Sequence, residues 1–123
     1  MKLTANFSKS EFESKDGSPM PLDVLQNIQV LAEQLQVIRN EISKPISITS
    51  GYRSPNHNAR IGGAKHSFHV RGMAADIQVA GMHPMDVKKV ILKLMNEGKI
   101  LKGGLKAYKS WTHVDTRGEI VLF

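Results

Sequence analysis

Two histidines and an aspartate are the side chains in this sequence whose types and spacing could bind a metal ion. His69 and Asp76 lie seven residues apart, and His113 follows much later in the chain. Two imidazole nitrogens and a carboxylate oxygen form a donor set that a catalytic zinc ion uses, with a fourth position left for water. Only a folded domain can bring these residues together. We therefore predict a zinc site with His69, Asp76 and His113 as its ligands.

The length and composition predict a single globular domain. The 123 residues are 41% hydrophobic and 23% charged, which is ordinary for a chain that buries a core. We therefore assign residues 1–123 to one domain and expect a monomer. No apolar run approaches the roughly 18 residues of a transmembrane helix, so we expect no membrane insertion.

The absence of cysteine and the basic charge restrict the function further. With no thiol in the chain, disulfides and cysteine-ligated zinc are excluded, and a metal must be held by His, Asp or Glu. The net charge of +6 favours polyanionic partners such as wall polymers, nucleic acid or anionic lipid. Because the lysines are scattered and no arginine-rich arm is present, we expect no specific nucleic-acid binding.

Apolar periodicity and capping signals predict the helices. Apolar residues recur at three- and four-residue spacing over about 21–42 and 84–96, which is typical of amphipathic helices. A capping-box pattern at Ser8–Glu11 predicts a short helix before them. Residues 51–63 are rich in Gly, Ser, Pro and Asn, and we predict a loop and short turn there.

Alternating apolar residues predict the strands, and with them an α+β fold. The predicted strands cover 46–50, 74–79, 103–108, 111–116 and 119–123. The last three are expected to be antiparallel and joined by tight turns. We predict a small antiparallel sheet with helices packed on one face, and polar ligand residues on the other.

The motif SxHxxGxAxD that begins at Ser67, with HxD beginning at His113, resembles the zinc D,D-peptidase family of bacterial and phage cell-wall enzymes. This family shares its fold with the hedgehog signalling domain. Residues 50–55 and the pair Gly103 and Gly104 also match, so the resemblance covers nearly the whole chain. It implies a hedgehog/D,D-peptidase-like fold, zinc held by the predicted triad, and hydrolysis of peptide bonds in peptidoglycan.

The resemblance also implies a role for Arg53 in holding the substrate and the developing oxyanion. A guanidinium keeps its proton and offers several donors, which suits charge that grows in the transition state. A surface arginine in a loop is the alternative. Ser67 is expected to fix the ligand turn and border the substrate, and Tyr108 to contact it. Trp111 either forms a wall of the cleft or packs over the sheet edge.

The remaining histidines have weaker assignments. His66 either lines the cleft or is a solvated loop residue. His57 and His83 lie in polar sequence and are expected at the surface.

The general base is not assigned by the sequence. Many members of the resembled family have Glu or Asp three residues before the last histidine, where this chain has Ser110. The branch with a His-x-Asp-Thr ending also lacks that acid. Asp115 shares a strand face with His113 and either orients its imidazole or accepts a proton. Orientation is favoured, because ligating histidines commonly donate their free N–H to a carboxylate.

Two functions therefore remain open. The first is a zinc metallopeptidase, either a carboxypeptidase or an endopeptidase, that uses metal-activated water on peptidoglycan peptides. The second is a non-catalytic, metal-containing wall-binding or phage structural module of the same fold, which Ser110 supports. Residues 1–7 show no secretory signal, so we expect cytoplasmic synthesis and then release to the wall, as in phage lysis or a virion-associated enzyme.

Overall fold

The structure is a computed structural model that describes all 123 residues. Three helices and five strands confirm the predicted α+β class. No helix combines the length and hydropathy that crossing a bilayer requires. The elements in chain order are a short 3₁₀ helix (Lys9–Phe12), α1 (Leu22–Ile42), β1 (Ile46–Ser50), α2 (Pro55–Arg60), β2 (Ala74–Val79), α3 (Pro84–Asn96), β3 (Gly104–Ala107), β4 (Thr112–Asp115) and β5 (Val121–Leu122).

The five strands form one sheet in the order β1-β2-β4-β3-β5. The pairs β1–β2, β2–β4 and β3–β4 are antiparallel, as predicted. The prediction was wrong for the last strand, because β5 pairs in parallel with β3. After β4 the chain crosses over the beginning of β3 and reaches the far side of that strand. From there β5 runs in the same direction as β3.

A pair of glycines makes this crossing possible. A Cβ atom on Gly103 would lie 1.5 Å from the backbone oxygen of Asp115, and one on Gly104 would lie 2.6 Å from the Asp115 carboxylate. The crossing segment is then fastened by hydrogen bonds from Gly118 N–H to the Lys102 oxygen and from Val121 N–H to the Gly103 oxygen. Side chains at the glycine positions would push the crossing segment off the sheet.

The hydrophobic core lies between the helices and one face of the sheet. Ala75, Ile77 and Val79 of β2 point into it, together with Leu105 of β3 and Val114 of β4. The opposite face of β2 and β4 carries the polar residues, as the alternation predicted. The buried side chains of α1 are Val24, Ile28, Leu31, Ala32, Leu35 and Ile38, and those of α3 are Val87, Ile91, Leu94 and Met95.

The segment predicted as loop over residues 51–63 contains a helix, α2, so this prediction was wrong in part. Ser54 is its N-cap, with a side-chain oxygen that accepts a hydrogen bond from the His57 backbone N–H at 3.1 Å. Pro55 occupies the first turn, where it is well tolerated. Because the helix has only six residues, it shows no apolar periodicity, and its capping residues were its only sequence signal.

Candidate metal centre and cleft

Strand pairing and one fixed turn bring the predicted triad together. Asp76 on β2 and His113 on β4 are direct cross-strand partners, which places their side chains next to each other on one face. His69 precedes β2, in a segment of turns. The Ser67 hydroxyl accepts a hydrogen bond from the His69 backbone N–H, and Gly72, with a φ of 73°, lets the chain enter β2.

The donor atoms of the triad are separated by distances that suit a small metal ion. Asp76 Oδ1 lies 3.4 Å from His69 Nε2 and 3.1 Å from His113 Nδ1. All three ligand atoms lie within 4.8 Å of one another. Donors bound tetrahedrally to zinc at about 2.0 to 2.2 Å are roughly 3.4 Å apart. The separations from Asp76 therefore fit zinc coordination.

The hydrogen-bond partner of His69 fixes which of its ring nitrogens is free. Its Nδ1 lies 2.8 Å from the backbone oxygen of Gly51. A carbonyl oxygen can only accept, so Nδ1 carries the proton and donates it. The lone pair of the neutral ring is then on Nε2, the atom that faces Asp76.

The same arrangement is built around His113 with the two ring nitrogens exchanged. Its Nε2 lies 2.9 Å from Asp115 Oδ2. Burial alone would raise the pKa of Asp115, but hydrogen bonds from His113, Arg117 and two backbone groups hold this pKa well below its usual range. Asp115 is therefore ionised and accepts from Nε2. In the neutral ring, the lone pair is then on Nδ1 and faces Asp76.

Two imidazole lone pairs and a carboxylate oxygen thus point toward one another, and none of these three atoms carries a proton. Burial would lower the pKa of His113, but its hydrogen bonds to Asp115 and Asp76 raise that pKa above the ordinary value. This donor set is the one expected for a divalent metal ion such as zinc.

Asp115 is completely buried, and its lone pairs are used by other groups. Arg117 donates to both of its oxygens, with Nε at 2.9 Å and Nη2 at 2.6 Å, and the Gly104 backbone N–H donates at 2.7 Å. With His113 on the remaining side, the carboxylate presents no free oxygen to the cleft. These contacts support the orienting role for Asp115 over the role of proton acceptor.

Arg53 lies at the edge of the triad. Its Nη2 is 3.4 Å from Asp76 Oδ2, its Nε donates to the Ser50 hydroxyl, and its backbone N–H donates to the His69 oxygen. The arginine predicted from the sequence is therefore part of the site and not a free surface residue.

A cleft of about 440 Å³ opens over the triad. Of the predicted substrate contacts, Arg53, Ser67 and Tyr108 line it, and His66 does as well. Trp111 does not line the cleft; its ring stacks on Tyr108 with centroids 4.6 Å apart. Trp111 therefore packs on a residue of the cleft lining and is not itself part of that lining.

His57 and His83 both lie outside the cleft lining. His83 is exposed, as predicted, whereas His57 is half-buried. His57 belongs to α2, and His83 is the N-cap of α3, where its Nδ1 accepts a hydrogen bond from the Met85 N–H.

The sequence reasoning missed three cleft residues. Arg117 lines the cleft together with Phe68 and Phe123. The alternation that placed His113 and Asp115 on one strand face continues to Arg117, and this was the signal that could have found it.

Asp16 was also missed, because the turn-like sequence around it gives no sign that its carboxylate contacts Ser54. Its carboxylate accepts hydrogen bonds from the hydroxyls of Ser54 and Ser14, both at 2.7 Å, and from Ser18. The bond from Ser54 leads the interactions that hold the pKa of Asp16 well below its usual range. Asp16 therefore fastens the N-terminal loop to the residue that follows Arg53.

Residues 5–115 match the peptidase M15 family, and the chain belongs to this family. The resemblance to zinc D,D-peptidases is thereby confirmed. The chain is 31% identical over 80 residues to the peptidoglycan L,D-endopeptidase MepK of Escherichia coli K12, covering 59% of this chain and 41% of the relative. It is 33% identical over 91 residues to the zinc D-Ala-D-Ala carboxypeptidase of Streptomyces albus G, covering 72% and 34%. The chain thus spans less than half the length of these relatives.

Proposed function

We propose that this protein is a zinc-dependent metallopeptidase that hydrolyses peptide bonds in bacterial peptidoglycan. The observation that carries the proposal is the convergence of the neutral-ring lone pairs of His69 and His113 on the Asp76 carboxylate. The two relatives, a peptidoglycan L,D-endopeptidase and a zinc D-Ala-D-Ala carboxypeptidase, support the choice of substrate.

The chain's own residues have distinct roles in this proposal. His69, Asp76 and His113 hold the metal, and Asp115 holds the His113 ring in its ligating orientation. Zinc held by this triad would supply a Lewis acid for the peptide carbonyl and would lower the pKa of its bound water toward about 7. Arg53 offers guanidinium N–H groups at the edge of the triad, where they stabilise negative charge on the carbonyl oxygen as it develops.

Proton transfer in this cleft cannot use a second carboxylate. Asp76 is the only acidic side chain that lines the cleft. Ser110, which stands where many relatives of the resembled family have an acid, lies outside it, and its backbone oxygen accepts a hydrogen bond from Gln78. We infer that the proton acceptor is His66, the remaining imidazole in the cleft lining, or solvent.

The missing acid is also the observation that favours the second candidate function. A non-catalytic wall-binding or phage structural module would keep the fold and the metal, but it would need no proton acceptor in the cleft. Such a module would bind purified walls and leave their peptides intact.

A comparison of two histidine variants tests the proposal. The wild-type protein should bind one zinc ion per chain and release peptide fragments from purified peptidoglycan. His69→Ala should lose zinc and reduce activity to background. His57→Ala removes an imidazole outside the cleft and should keep both. Zinc content is measured by elemental mass spectrometry, and released fragments by mass spectrometry of muropeptides.

The same experiment separates the two candidate functions. If zinc-loaded wild type binds walls and releases nothing, the peptidase proposal fails and the binding module is correct. If fragments appear, their masses identify the bond that is cut. Release of a terminal residue indicates a carboxypeptidase, and release of cross-linked or longer fragments indicates an endopeptidase.

A further inference from the structure

We propose that Arg117 is a specificity-determining residue that binds a free carboxylate of the substrate peptide close to the bond that is cut. This inference rests on the proposed peptidase function. It names the substrate class more closely, as a peptide whose carboxylate beside the scissile bond is not amidated.

Arg117 is held rigidly on one side and free on the other. Its Nε and Nη2 donate to Asp115, and its backbone N–H donates to the same carboxylate. Its Nη1 has no hydrogen-bond partner within the protein, and the side chain is 20% exposed and lines the cleft. The guanidinium therefore presents an unused donor in the cleft with little conformational entropy left to lose.

Two aromatic rings lie next to this guanidinium and cover part of it. Its central carbon lies 4.6 Å from the ring centroid of Phe68 and 5.3 Å from that of Phe123. Phe123 also packs near His113, with ring centroids 5.9 Å apart. A charge with apolar neighbours is less screened than one in open solvent, so its attraction for an anion is stronger.

The charge balance of the site points to an anionic substrate group. Arg53 and Arg117 are balanced by Asp76 and Asp115, the two carboxylates they contact. A divalent metal ion bound by neutral histidines would leave an excess of two positive charges. Because no other acidic side chain lines the cleft, a negatively charged ligand would be needed to offset this excess.

The position of Arg117 relative to the metal-binding residues defines which carboxylate it can reach. Asp115 Oδ2 is shared by Arg117 Nη2 and His113 Nε2. The Asp115 carboxylate therefore links Arg117 to His113, one of the proposed metal ligands. An anion bound on the free side of Arg117 would lie near the reacting bond. A carboxylate far along the peptide would not meet it.

Two peptides and two variants test the inference. The peptides are synthetic peptidoglycan stems that differ only in whether the carboxylate beside the cleaved bond is free or carboxamide. Wild type should cleave the free acid with a kcat/KM about tenfold to a hundredfold higher, as expected for a hydrogen bond to a charged group. Arg117→Gln should remove this preference, and Arg117→Lys should retain part of it.

Arg71→Gln is the matched control. Arg71 also lies over the Phe68 ring, at 5.3 Å, but it does not line the cleft. This variant should keep the full preference for the free carboxylate. An Arg117 that only anchors Asp115 would slow both peptides equally and leave their ratio unchanged, and that result would overturn the inference.

A binding measurement separates this inference from the proposed function. His69→Ala and the double variant with Arg117→Gln are titrated with both peptides by calorimetry. The free acid should bind more tightly than the amide to the single variant only. If wild type cleaves neither peptide but this binding difference is present, the peptidase proposal fails and the carboxylate site stands. If no difference is found, the carboxylate site fails, whatever the activity.

Discussion

Each of the two imidazoles that we propose as metal ligands is oriented by a hydrogen bond that it donates on the side away from Asp76. The acceptor for His69 is the Gly51 backbone oxygen, whereas the acceptor for His113 is the Asp115 carboxylate. A backbone acceptor survives any side-chain substitution, but a carboxylate does not. The two ligands should therefore differ in how far mutation of their partner affects metal binding.

We expect Asp115→Asn to weaken zinc binding by about tenfold to a hundredfold. The new amide group must direct its N–H₂ toward His113 or toward Arg117, and both are donors, so the His113 ring loses its fixed tautomer. Competition with a chromophoric chelator measures the affinity. Asp86→Asn, at an exposed position in the first turn of α3, is the control, and equal affinity in the two variants would contradict the orienting role.

At the scale of elements, the crossing of the chain over the beginning of β3 depends on the absence of a side chain at Gly103. We expect Gly103→Ala to lower the free energy of unfolding by about 3 kcal/mol, because the new methyl group meets the Asp115 backbone oxygen. Gly81→Ala is the control. It has a φ of 73° and open space around it, so it should cost only about 1 to 2 kcal/mol. Urea denaturation measures both, and equal losses would contradict the steric argument.

The attachment of the N-terminal loop to the segment before α2 should depend on pH. Asp16 has a lowered pKa in the folded state, so the unfolded state binds more protons in acid. Its contribution to stability is therefore complete above the unfolded pKa of about 3.9 and is lost as the pH falls below it. Asp16→Asn should reduce stability at pH 7 and flatten the pH dependence between about pH 2 and 5.

Denaturation at a series of pH values measures this effect. Asp23→Asn removes an exposed carboxylate that takes no part in the network around Ser54, and it should keep the wild-type dependence. If Asp16→Asn shows the same dependence as wild type, Asp16 does not fasten the loop.

For the whole molecule, the core and the candidate metal centre lie on opposite faces of the sheet. The core is continuous from α1 to β4 and includes none of the triad residues. We therefore expect zinc-free protein to remain folded. Zinc at about a thousand times its Kd should add roughly 4 kcal/mol of stability by binding the native state only.

Thermal unfolding followed by circular dichroism, with zinc and with a chelator, measures this difference. The His69→Ala variant should show the same transition in both solutions. A wild-type protein that loses its secondary structure on chelation would show that the metal is structural, as in domains that fold only around zinc.

The features that the sequence determined by itself are those with short-range signals. Periodicity over residues 84–96 and alternation over 46–50 and 74–79 predicted α3, β1 and β2 with the bounds that the structure has. The composition excluded cysteine ligands, and the motif around His69 and Asp76 indicated the family. These signals act between neighbouring residues, so they can be read without knowing the path of the chain.

The tertiary structure decided what depends on contacts between distant residues. The parallel pairing of β5 follows from the crossing at Gly103, and the short helix α2 shows only through its cap at Ser54. Tertiary contacts also decide that the oxygens of Asp115 are fully used by hydrogen-bond donors such as Arg117. They decide as well that Trp111 stacks on Tyr108 and does not line the cleft. A strand pattern defines the face on which a side chain lies, but the partner that it meets there is set by strand order and chain crossing.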